Sequence, residues 1–230
     1  MRAALRARLG IDIAIENDVN LAAIGEHWRG NSRKARTFAF IALGTGIGMG
    51  IFANGHLIRG ARGAAGEVAY LPLGGDPYDA RGQRLGTLET ARRQRRHHRA
   101  LHARSAARAG STVRDVFDRL ETDEAARVTI DEVGRIVTTA ILAVHSILDP
   151  ELIIMGGSIG ARPELKLRID AHLGRCTREP VRIELSALGN RATLIGAIGG
   201  AIDQVHRALF GIGKDASPLA LPFTAADVAA

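Results

Sequence analysis

A chain of 230 residues can bury a sizeable core, as one large domain or as two small lobes. Hydrophobic content of 46% and charged content of 24% are ordinary for a globular protein, and 4% aromatics leave too few rings for a base-stacking surface. The net charge of +7 invites a nucleic-acid reading, but seven arginines (Arg92, Arg93, Arg95, Arg96, Arg99, Arg104, Arg108) lie in one acid-free stretch, and without them bases and acids balance.

Residues 2–9 read as a helix stopped by Gly10. IDIAIE alternates Ile11, Ile13 and Ile15, the periodicity of a strand. Asn17 and Asp18 open a helix from Val19 to about Trp28. Thr37 to Leu43 is a predicted strand, GTGIGMG (Gly44 to Gly50) a glycine loop, and Gly50 to Ala53 the next strand. Asn54-Gly55 then signals a hairpin turn into a third strand, His56 to Arg59, so the segment reads as an antiparallel meander. The chain from Gly60 to Gly86 is loop-like, and residues 87–120 read as helical.

Asp123 to Leu148 is a long amphipathic helix, with Ile130, Val133, Ile136, Val137, Ile141 and Val144 at helical spacing. Asp149-Pro150 ends it, Leu152 to Met155 is a short buried strand, and GGSIG is a loop. A helix from Pro163 to Leu173, a strand from Val181 to Leu185 and a small-residue helix from Ala192 to Phe210 complete the pattern; the tail after Gly213 is expected to be mobile. The single cysteine, Cys176, allows no internal disulfide or cysteine zinc site, and the amino terminus has no apolar signal core. No stretch is long enough to span a bilayer, so the expectation is a soluble cytoplasmic protein with no membrane partner.

Four short segments can carry chemistry, and each has a bland alternative. Gly44, Thr45, Gly46 and Gly48 could form a nest of amides for a phosphate, with the Thr45 hydroxyl as a further donor. The loop lies between strands and lacks a following Lys-Ser/Thr, so it is no Walker loop, and a simple hairpin bend explains it as well. Asp18 could take a proton from a hydroxyl, with Asn17 hydrogen-bonding beside it, or the pair could only cap the helix. Glu67, in GAAGEVAYLPLG, could bind sugar hydroxyls or be a solvated loop acid. Gly156 and Gly157, in MGGSIG, could meet a nucleotide or only turn the chain from strand to helix.

The order and spacing of these segments say more than any one alone. ENDVNLAAIGE, ALGTGIGMGIFANGHLIRGARGAAGEVAYLPLG, ILDPELIIMGGSIG and LGNRATLIGAIGGA resemble the ROK family (repressors, open reading frames and sugar kinases) of the actin/hexokinase superfamily. The resemblance covers roughly residues 1–210. It implies an α/β, RNase H-like ATPase fold, of which this chain supplies mainly the carboxyl-terminal lobe. Residues 1–30 would end the amino-terminal lobe, residues 31–212 would form the carboxyl-terminal lobe, and 213–230 a flexible tail. It also implies that Asp18 matches the base of the family's kinases, that Asn17 and Glu67 match sugar-binding residues, that Gly44 to Gly50 match a phosphate loop, and that Gly156-Gly157 lie where a nucleotide is held.

The departures count too. The family's D-x-G-G-T phosphate hairpin is absent from this sequence. Where Glu-x-Gly-His is expected the chain reads Glu67-Val68-Ala69-Tyr70, so Tyr70 replaces a histidine that contacts sugar and zinc. The cysteine run that binds zinc is missing, and no metal is expected. These losses resemble the regulator branch, which implies a sugar-sensing effector domain without its DNA-binding segment, needing no cofactor and touching operator DNA only through that segment. A homo-oligomer is the family's habit. An ATP- and magnesium-dependent sugar kinase with Asp18 as base is the alternative, and a non-functional remnant a third. The arginine run is either an exposed basic helix or a local reading-frame error, and supports no functional reading.

Overall fold

The computed structural model describes residues 2–11, 13–91 and 113–210. The arginine run and the tail after Gly213 lie outside the described residues. A five-stranded mixed sheet, in the order β3-β2-β1-β4-β5, organises the rest. Strands β1 (Phe38–Leu43), β2 (Ile47–Ala53) and β3 (His56–Ile58) form the antiparallel meander. Strand β4 (Leu152–Gly156) joins β1 in parallel, and β5 (Ile183–Leu185) joins β4 in parallel. The turn between β2 and β3 places Asn54 at φ 55° and Gly55 at φ 83°, the left-handed pair that a two-residue hairpin needs.

The helices divide between the two faces. After α1 (Arg2–Leu9), α2 (Asp18–Arg29) packs on β1 and β2. Phe38, Phe40, Phe52, Leu152 and Ile154 point to that face and meet Ala22, Ala23 and Ile24 of α2. The opposite face carries Ala39, Ile41, Leu43, Ile47, Met49, Ile153 and Met155. The short helices α3 (Ala80–Leu85) and α4 (Val113–Phe117) precede the long helix α5 (Glu124–Leu148). Helix α5 covers the second face with Ile130, Val133, Ile136, Val137, Ile141 and Val144, the six positions its sequence period selects. Asp123 caps its start, and Asp149, at φ 45°, closes its end. A four-residue helix α6 (Gly157–Gly160) follows β4, and α7 (Pro163–Cys176) packs beside α5. Helix α8 (Ala192–Phe210) lies against α2 on the first face.

Small residues set how closely α2 and α8 approach. A Cβ on Gly25 would strike the Ala192 carbonyl, one on Gly196 the Leu21 carbonyl, and one on Gly199 would lie 2.6 Å from the Trp28 ring. Glu26, fully buried on α2, ties the same layer to the β5–α8 connection. Its carboxylate accepts hydrogen bonds from the Ser186 hydroxyl at 2.5 Å, the Leu188 amide at 3.1 Å and the Asn31 amide at 3.0 Å. A buried carboxylate needs such partners to stay in the core.

Four expectations about elements are corrected. IDIAIE forms no strand among the described residues, and Ile11 and Ile15 are 62% and 38% exposed. Alternation makes a strand only where a partner ladder is formed, and this segment pairs with none of the five strands of the sheet. The glycine loop is shorter than its seven residues, because β2 begins at Ile47 and takes in Gly48 and Gly50. GGSIG is helical from Gly157 to Gly160 rather than a loop. The stretch from Gly60 to Gly86 contains α3, started by Asp79, whose carboxylate caps the Arg81 and Gly82 amides.

Candidate functional site

The amino terminus of α2, the β1–β2 hairpin and the segment after β3 converge on one cleft of about 390 Å³. Its lining includes Asn17, Asp18, Thr45, Glu67, Gly44, Gly46, Gly48 and Gly157. The volume is in the range of small-molecule sites. Asp18 and Glu67 are the two charged residues among the described lining, both exposed to solvent and neither with an ion-pair partner among the described residues.

Each bank of the cleft is held by local chemistry. Asn17 is the N-cap of α2, where its Oδ1 accepts from the Val19 amide at 2.9 Å and the Asn20 amide at 3.2 Å. The cap therefore occupies the side-chain oxygen of Asn17 and leaves its NH2 group as the donor for a ligand. Asp18 is the first helical residue, with Oδ1 2.9 Å from the Val19 amide, and a carboxylate there is also favoured by the helix dipole. On the facing bank Gly66, at φ 88°, accepts at its carbonyl from the Met49 amide at 3.1 Å. A Cβ on Gly66 would collide with the Met49 carbonyl, so only glycine lets the chain lie this close to β2 and present Glu67.

The floor is the hairpin. The loop proper is Gly44-Thr45-Gly46, closed by the Leu43–Ile47 pair and by the Gly44 amide donating to the Gly46 carbonyl at 2.9 Å. Gly48 and Gly50 instead admit α2 against β2. A Cβ on Gly48 would lie 3.0 Å from a Val19 methyl, and one on Gly50 would lie 2.8 Å from the Ala23 Cβ.

Two expected site residues are not in the lining. Gly156 is buried at the end of β4, paired with Ala42, where a side chain would enter the Phe40 ring. Tyr70 is 53% exposed at the end of the turn Val68–Tyr70. Among the described residues, no cluster of three His, Cys, Asp or Glu side chains is placed to hold a metal ion.

Sequence reasoning missed Glu16, which does not line the cleft but braces it. Its Oε1 accepts from the Asn17 amide at 3.1 Å and from Asn20 Nδ2 at 2.9 Å, and its Oε2 accepts from Arg59 Nε at 2.6 Å. Burial pushes the Glu16 carboxyl up, but the hydrogen bonds from Asn20, Arg59 and the Asn17 amide, with the charge of Arg59, outweigh burial and hold it below its ordinary value. A signal was present in Glu16 standing directly before the cap; its partner, Arg59, lies 43 residues away and could not be paired from spacing.

The ROK family model matches residues 1–203. The chain belongs to the ROK family. Its fold is that of the actin/hexokinase-like ATPases. A glucokinase of Halalkalibacterium halodurans is 29% identical over 207 residues, 81% of this chain and 62% of that protein. A beta-glucoside kinase of Listeria innocua is 31% identical over 206 residues, 88% of this chain and 69% of its own. Among solved structures, the Lmo2764 protein of Listeria monocytogenes superposes with a TM-score of 0.74 at 30% identity, over 86% of this chain and 68% of that one. A ROK-family transcriptional regulator, homologous to the E. coli MLC protein, shares the fold with a TM-score of 0.69 at 24% identity, over 85% of this chain and 53% of its own. The chain thus spans about two thirds, or less, of the lengths of these relatives. No helix among the described residues is long and apolar enough to cross a membrane.

Proposed function

We propose that the cleft binds a sugar, with Asp18, Glu67 and the Asn17 amide group hydrogen-bonding its hydroxyls. The observation that carries this is the convergence on one cleft of about 390 Å³ of two carboxylates without an ion-pair partner among the described residues and an amide donor, Asn17 and Asp18 from the start of α2 and Glu67 from the segment after β3. Carboxylates accept from hydroxyl donors, Asn17 donates to a hydroxyl oxygen, and such paired polarity suits a polyol better than an apolar ligand. ROK membership and the sugar kinases among the relatives support the same reading.

Within that reading, phosphoryl transfer to the sugar is the activity this arrangement fits best. Asp18 is exposed on the cleft with the Gly44–Gly46 hairpin on its floor. A carboxylate there can hold the reacting hydroxyl and accept its proton as the hydroxyl oxygen attacks the terminal phosphoryl group of ATP, whose bond to the bridging oxygen breaks to release ADP. The Thr45 and Gly46 amides, the Thr45 hydroxyl and the Gly157 amide would hold the phosphates of ATP. In this reading magnesium would come with ATP, held mainly by its phosphates; among the described residues no group of three His, Cys, Asp or Glu side chains is placed to hold a metal ion on the protein alone.

Sugar sensing without turnover, as part of a transcriptional regulator, is the second reading. It is favoured by Tyr70 where the family's kinases have histidine, and by the shared fold of the ROK regulator. Sugar binding would then shift a population between two states. A coupled assay of ADP release with a sugar panel separates the two. Sugar-dependent turnover establishes the kinase, and saturable sugar binding without turnover establishes the sensor.

A further inference from the structure

Glu16 reaches both banks of the cleft without facing it. Through Oε1 it holds Asn17 and Asn20, which line the bank formed by α2. Through Oε2 it holds Arg59, the first residue of the strap that carries Gly63, Ala65, Gly66 and Glu67 along the other bank. Arg59 anchors that strap in turn, since its carbonyl accepts from the Ala65 amide at 3.0 Å. The Glu16 side chain is 19% exposed and that of Arg59 57%. An ion pair this accessible contributes little to global stability, so its consequence is geometric.

We propose that Glu16 is a positioning residue, which by gripping Arg59 sets the separation between the Asn17–Asp18 bank and Glu67. This deepens the sugar-binding reading and rests on it, because that separation is what the hydroxyls of one ligand must span. The two carboxylate oxygens have separate roles, Oε1 bracing the start of α2 and Oε2 gripping the strap. When the grip is lost the strap stays joined to β2 through Gly66 and Met49, so the fold persists while the Arg59–Ala65 part of the strap is freed to shift relative to α2 and Glu67 is no longer held at a fixed distance from that bank.

Glu16→Gln can keep an oxygen for Asn17 and Asn20 while turning an N–H group toward the Arg59 Nε donor. It removes the grip alone, and Arg59→Gln removes the same grip from the other side. Two readouts are taken on the full chain: amide hydrogen exchange without ligand, and calorimetric titration with hexoses and amino sugars. Each variant is expected to speed exchange at the Ala65 amide about tenfold while the amide of Ile141 in α5 is unchanged. Each is expected to weaken sugar binding about tenfold, with the double variant no weaker than either single one. Unchanged exchange at Ala65 in both variants overturns the proposal whether or not any sugar binds. Accelerated exchange with unaltered sugar affinity also overturns it, as do effects that simply add in the double variant. A wild-type chain that binds no sugar overturns the sugar-binding reading instead, and the exchange result then judges the grip alone.

Discussion

Gly50 of β2 faces Ala23 of α2 so closely that a methyl group on Gly50 would lie 2.8 Å from the Ala23 Cβ and 3.0 Å from the Val19 carbonyl oxygen. The glycines of GTGIGMG therefore do two different things. Gly44 and Gly46 make a tight hairpin on the floor of the cleft, and Gly48 and Gly50 let a helix lie on a strand. Because that helix begins with Asn17 and Asp18, the close approach at Gly50 also brings those residues to the hairpin.

Gly50→Ala is accordingly expected to destabilise the protein by about 1–3 kcal/mol through overpacking. Melting temperature should fall by roughly 2–4 °C for each kcal/mol. Gly46→Ala meets nothing within 4 Å and should leave melting within the scatter of the wild type. Equal melting for both variants would show that the two glycines are not divided in this way.

Asn17 has two separable roles. Asn17→Ala removes the cap and should cost about 0.5–2 kcal/mol. Asn17→Asp keeps an acceptor for the Val19 and Asn20 amides but loses the NH2 group. It should melt close to the wild type yet bind sugar at least several-fold more weakly. Undiminished sugar affinity in Asn17→Asp would confine Asn17 to capping.

His27 gives the fold an acid-sensitive point. Its ring stacks near Phe52 and Phe38, with centroids at 4.7 and 5.7 Å, and its Nδ1 lies 3.0 Å from the Ser32 carbonyl. Burial lowers its pKa from the ordinary 6.5, only partly opposed by the hydrogen bond to Ser32. The unfolded chain then binds a proton at this residue before the folded one does. Stability from neutral His27 is thus present above about pH 6.5 and is lost as pH falls toward the lower folded value. Denaturant midpoints measured from pH 8 to 5 should fall in the wild type and fall less in His27→Gln. Parallel pH profiles for the two proteins would rule this out.

Most of the architecture was legible because it rests on local pattern. The Asn54-Gly55 turn, the short apolar run of β1 and the six apolar positions of α5 each announce themselves within a few residues. IDIAIE misled for the same reason, since alternation cannot say whether a neighbouring strand exists. The division among the glycines was hidden because it depends on Val19 and Ala23 of another element. Glu16 was hidden because charge pairing across a fold leaves no trace in spacing. Gly156 and Gly157 looked equivalent in sequence, but the first is buried against Phe40 and the second faces the cleft.

Asp18→Asn tests the proton-accepting role. The asparagine retains an oxygen for the Val19 amide and for a hydroxyl, but it cannot take a proton. In the kinase reading, sugar-dependent ADP release should fall at least about a hundredfold while sugar affinity changes little. Turnover that survives the substitution would remove Asp18 from the chemistry.

The most direct test of the central claim is calorimetric titration of hexoses, amino sugars and xylose into the wild-type chain and into Glu67→Gln, with circular dichroism to establish that both are folded. Saturable binding of at least one sugar, weakened tenfold or more in Glu67→Gln, is the predicted result. A folded wild-type chain that binds none of these sugars, or binds one equally well without the Glu67 carboxylate, would contradict the account.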